Sequence, residues 1–179
     1  PKQRLILLDK LIAHYVFSNI ERAEELLEEL YEILRDIETP DLQLNYHLYE
    51  ATIKNQMYDY EEAEYHYQTA MAILQERGAV NQQTEVYIDY AGLCINKTDM
   101  ERAHDYLTKA GKILKTFPRE RLKGRLICRE GFLQLHYGNY SKAIELLLQA
   151  DSMITMLQSP LELNDYYSHP DTFRAGADL

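Results

Sequence analysis

Arg125 and Arg129 stand four residues apart, a spacing that on a helix brings two guanidinium groups to one face. Paired forks of this kind grip a carboxylate or a phosphate bidentately. Forty residues earlier, Glu85 and Asp89 have the same spacing. If the chain repeats with that period, Glu85 comes to lie beside Arg125 and Asp89 beside Arg129. The four then form an ion-pair ladder, worth about 0–1 kcal/mol for each exposed pair. Ladder and ligand contact are compatible, and the spacing alone leaves both open. Other chemistry is sparse. The six histidines are scattered, with no His-Glu-x-x-His helix, no Cys-x-x-Cys pair and no glycine-rich phosphate loop. His104 with Asp105, and His47 with Glu50, read as surface neighbours. Cys94 and Cys128 are too few for a disulfide framework. They read as free buried thiols in a reducing compartment, which implies a cytoplasmic protein. The residues thus predict no enzyme, no metal and no cofactor.

The elements that must carry these residues are set by an internal period. Alanine recurs at Ala23, Ala63, Ala103 and Ala143, forty residues apart each time. Asn19, Asp59, Asp99 and Asn139 precede it by four; Leu27, Tyr67, Leu107 and Leu147 follow it by four. A fixed period of this size means stacked supersecondary units. Within Tyr60 to Arg77, Ala63, Tyr67, Ala70 and Leu74 make an i, i+4, i+7, i+11 apolar stripe, the mark of an amphipathic helix. The Asn and Asp residues are N-caps, and Glu62 would complete a capping box with Asp59. Pro40, Gly78, Pro118 and Pro160 recur as stop signals near helix ends. A first helix in each unit is expected at roughly 3–17, 42–57, 83–97 and 121–137, with a small residue at Ala51, Ala91 and Gly131 (Leu11 in the first unit) allowing close approach of its partner. The expectation is all-α: eight antiparallel helices in four units, about 3–42, 43–82, 83–122 and 123–160, followed by a tail over 161–179 that could cap, link or bind.

A small residue on the first helix, a short turn, then Ala-x3-Tyr/Leu-x2-Ala on the second resembles the tetratricopeptide repeat. The segments YDYEEAEYHYQTAMAIL (58–74) and GNYSKAIELLLQADSMI (138–154) carry the resemblance most closely, and it covers about residues 3–160. The forty-residue period exceeds the usual 34, and the family's first-helix Trp is absent. Longer repeats of this type are similar to those of bacterial regulators. The resemblance implies a right-handed α-α superhelix with a concave groove lined by first helices. Carried onto this chain, the lining is Leu8, Ile12 and Tyr15; Asn45, Tyr49, Thr52, Asn55 and Gln56; Glu85, Asp89, Gly92 and Asn96; and Arg125, Arg129, Phe132 and His136. The carboxylate clamp of chaperone-binding members is not matched, because apolar residues stand at its first-unit positions. The resemblance implies a scaffold binding a protein or peptide partner. The alternative is a ligand- or peptide-sensing domain cut from a larger bacterial signalling protein.

Composition narrows the partners. A net charge of −10 disfavours nucleic acid and anionic membrane, and no apolar run reaches the ~18–20 residues of a span. Charge is polarised: Ile20–Glu38 holds eight acidic residues and two basic, Lys109–Arg129 eight basic and one acidic. Solvated faces, head-to-tail self-association and a partner of matched polarity all fit. The first helix, RLILLDKLIAHYVF (4–17), is apolar nearly all round and so needs cover on both flanks. Leu5, Leu8, Ile12, Tyr15 and Val16 are therefore candidates for self-association as a homodimer, unless a neighbouring repeat has been lost or the helix lines an apolar ligand groove. Tyr60, Tyr67 and Tyr140 are expected in the core. The chain starts at Pro1 without methionine, which reads as an excised or processed piece.

Overall fold

The computed structural model describes residues 2–36 and 39–156; Pro160 and the tail over 161–179 lie outside the described residues. Among these, all regular structure is helical: α1 Lys2–Tyr15, α2 Ile20–Leu34, α3 Pro40–Gln56, α4 Tyr60–Glu76, α5 Val80–Asn96, α6 Met100–Thr116, α7 Glu120–His136 and α8 Tyr140–Met156. The all-α repeat of helical pairs expected from the forty-residue period is what the structure shows. The chain divides into two compact units between Ile73 and Leu74, within α4. In the first, α1, α2 and α3 pack on one another. In the second, α5 packs on α6 and α7, and α7 on α6 and α8.

The periodic alanines explain why these pairs close. Ala23, Ala63, Ala103 and Ala143 are all fully buried, as are Ala51 and Ala91 on the first helices. Gly131 takes the same small position in α7, and a Cβ there would stand only 2.9 Å from Leu147 Cγ of α8. Backbones this near one another leave no room for a side chain.

The turns inside the pairs repeat as faithfully as the helices. Asp59, Asp99 and Asn139 each donate a backbone N–H to the carbonyl five residues back, on Lys54, Cys94 and Gln134, at 2.8–2.9 Å. The residue before each, Tyr58, Thr98 or Gly138, has φ of 63°, 60° or 75°. This left-handed cap satisfies carbonyls that the end of a helix would otherwise orphan. Asn19 and Asp99 then cap the next helix, accepting from the amides of Arg22 at 3.0 Å and Arg102 at 3.1 Å. The capping box expected at Asp59 is not made. Its N–H is already bound to Lys54, and its carboxylate accepts only a long 3.4 Å bond from the Glu62 amide. The Asn139 side chain likewise turns to Gln134 at 2.8 Å. Pro40 opens α3 at its first turn, where a missing N–H costs nothing.

Candidate functional site

In the second unit, α5 and α7 lie side by side and bring together the residues of the expected ladder. Arg125 donates from Nη1 to Glu85 Oε1 at 3.3 Å and from Nη2 to Asp89 Oδ1 at 2.5 Å. One guanidinium therefore spans both carboxylates, and the Asp89–Arg129 rung expected from the sequence does not form. All three side chains are largely enclosed, at 18%, 8% and 15% exposure for Arg125, Glu85 and Asp89. Charges this sheltered are held by mutual pairing, since each alone would be costly to desolvate.

Arg129, one turn along α7, is half-buried and takes a different course. Its guanidinium lies over the buried Gly92 of α5, so close that a Cβ on Gly92 would meet Arg129 Cζ at 2.9 Å and Nε at 3.1 Å. It forms no hydrogen bond or ion pair with any described residue. Phe132 and His136 continue the same stripe of α7 and are exposed, as is Asn96 one turn beyond Gly92. Between Arg125 and Arg129 sits Cys128, half-buried, whose thiol is pushed up by burial against the opposing pull of the two arginines.

The first unit uses the equivalent rows differently. Asp9 of α1 accepts from Asn45 Nδ2 at 3.0 Å and from the Tyr49 hydroxyl at 2.9 Å. Burial raises the Asp9 carboxyl, with these two bonds opposing the rise; burial and the nearby Asp9 raise the Tyr49 phenol well above its ordinary value. Asn45 and Tyr49, read from the sequence as groove contacts, are 4% and 0% exposed. They are interior residues fastening α3 to α1, which removes them from any partner surface. Asn55 is half-buried and already engaged. Nothing in the local sequence marks Asp9, whose partners lie 36 and 40 residues away; only the repeat frame that pairs Glu85 with Arg125 carries the signal.

Two further expectations are corrected. Leu5, Leu8, Ile12 and Val16 are core residues, and Tyr15 is half-buried. The exposed apolar side chains here are instead Ile6 and Leu7 of α1 and Phe17 just beyond it. His47 and Glu50 are not surface neighbours: both are half-buried, and His47 Nδ1 lies 2.9 Å from His66 Nδ1 of α4. Burial, then the facing His47, lowers the His66 pKa to about 4; burial lowers His47 as well. Tyr46 and Tyr65 pack edge-on against the pair. Of the tyrosines expected inside, Tyr67 is buried and Tyr60 half-buried, but Tyr140 is exposed.

Among the described residues, no group of three or more His, Cys, Asp or Glu side chains converges to hold a metal ion. No described helix is long and apolar enough to cross a membrane. Comparison with protein-family models, with curated proteins and with solved structures finds no match to this chain.

Proposed function

We propose that the protein is a tetratricopeptide-like interaction module of the cytoplasm that binds a protein or peptide partner and carries no catalytic activity of its own. The observation that supports this most is the α5–α7 face, where exposed Phe132 and His136 share the α7 stripe of Arg129 and exposed Asn96 follows Gly92 on α5. An aromatic ring and an arginine within two helical turns are the residue types that dominate binding energy at protein interfaces. The corresponding row of the first unit is spent on the Asp9 network, so the surface on offer belongs to the second unit.

Selection from a random peptide library tests the reading. The wild-type protein should enrich a consensus, and Phe132→Ala/His136→Ala should lose that enrichment with its helical circular dichroism intact. A selection without consensus, or a consensus kept by the double variant, would assign these residues to solvent alone.

A further inference from the structure

We infer that Arg129, held over the backbone of Gly92, is a receptor for one carboxylate of the partner, placed beside an apolar partner side chain that contacts Phe132. The inference rests on the α5–α7 face being the binding surface and adds the chemistry of what is bound there.

The argument starts from what the repeat does elsewhere. In both units an aspartate at one position is held by a residue 36 further on: Asn45 to Asp9, and Arg125 to Asp89. In the first unit the residue 40 further on, Tyr49, adds a second bond to the same carboxylate. Arg129 occupies that place in the second unit. Arg125 already fills Asp89, and Arg129 bends away to Gly92. Gly92 makes this geometry possible, because any side chain would intrude to 2.9 Å from the guanidinium carbon. The position is Ile12, Thr52 and Phe132 in the other repeats. A half-buried guanidinium with five donors and no acceptor among the described residues is an incomplete arrangement.

Charge decides which anion completes it. Glu85, Asp89, Arg125 and Arg129 sum to zero, and the two acids share Arg125. A bound carboxylate therefore leaves this cluster with a single negative charge, half the excess that a phosphate dianion would leave. A phosphate dianion would meet the field of Glu85 and Asp89 without a second cation to offset it, whereas a planar carboxylate fits a guanidinium fork with a single charge.

The test follows the Arg129 Nε–Hε resonance of 15N-labelled protein during titration. The probes are acetyl-phenylalanyl-glutamate amide, its glutamine counterpart, acetylphenylalanine with a free terminal carboxylate, and inorganic phosphate. A charge-assisted bond implies about tenfold tighter binding of the glutamate probe than of the glutamine probe. Arg129→Gln should erase that preference, and Gly92→Ala should diminish it while leaving the charge present. The acetylphenylalanine arm tells whether a chain terminus serves as well as a side chain. Equal affinity for the glutamate and glutamine probes overturns the carboxylate and leaves the binding face standing. Failure of every probe to bind counts against both. A preference that survives Arg129→Gln, or a larger response to phosphate, assigns the recognition to another group or another anion.

Discussion

At the scale of single residues, the positive-φ backbone of non-glycine residues among those described lies at two turns, at Tyr58 and Thr98. Thr98 is β-branched and holds φ of 60°, a conformation that glycine adopts without steric penalty and threonine does not. Thr98→Gly should therefore raise stability by about 1 kcal/mol. Urea denaturation checks this, with Thr98→Ala, which keeps a Cβ, as the control that should gain little. Tyr49→Phe should lower stability by about 1–2 kcal/mol, because the hydroxyl bonded to Asp9 is lost where nothing replaces it. Its denaturation midpoint, read beside that of the wild type, decides. Much at this scale was legible: the caps at Asn19 and Asp99, the small residues at Ala51, Ala91 and Gly131, and the pairing of Glu85 with Arg125 all follow from residue type and spacing. Arg129 was not, because a periodic frame places Cα atoms, whereas a long side chain chooses among acceptors. Once Arg125 had satisfied both acids, nothing in the spacing could say where the next guanidinium would go.

At the scale of elements, α3 and α4 are joined by a contact with consequences for pH. His47 and His66 face each other through Nδ1 atoms 2.9 Å apart, a distance that one shared proton fits and two protons do not. The His66 pKa falls from 6.5 to about 4 on folding. The unfolded chain therefore takes up its proton first, and this contribution to stability is complete above pH 6.5 and is lost as pH falls towards about 4. Asp9 and Glu50, both raised by burial, act in the opposite direction. Each helps stability while protonated and ceases to help as pH rises through its folded value. His66→Gln separates the two: its urea midpoint should fall less steeply across that window than that of the wild type. Parallel slopes would clear the histidine pair. The close α7–α8 approach yields a second expectation. Gly131→Val should destabilise by about 1–3 kcal/mol through overpacking against Leu147, seen as a lowered thermal midpoint. Helix positions were readable to within a few residues because apolar period and stop signals agree. The histidine contact was not, because His47 and His66 belong to different helices and to no shared repeat position.

At the scale of the whole molecule, composition speaks about partners where geometry does not. With a net charge of −10, the chain should show no retention of duplex DNA in a filter assay at physiological salt, despite the basic run over Lys109–Arg129. Salt-sensitive retention abolished by substitutions in that run would reverse the expectation. The period revealed the repeat class, but the exposed side of α1 was misjudged. An all-round apolar helix gives no phase, and only packing against α2 and α3 selects Leu5, Leu8, Ile12 and Val16 for the interior, leaving Ile6 and Leu7 outside.

The recurrence of a bond to an aspartate 36 residues before, from the second repeat to the first and from the fourth to the third, also bears on how such chains can be rearranged. The two contacts are built alike but are not interchangeable in chemistry. Transplanting the second repeat behind the third would set Asn45 and Tyr49 against Glu85 and Asp89, sheltering two carboxylates without a cation. Transplanting the fourth behind the first would set Arg125 against Leu5 and a lone Asp9. The second and fourth repeats thus each carry an address for the repeat before them, and gene shuffling that respected the period while ignoring the address would yield arrays of correct length and failing junctions.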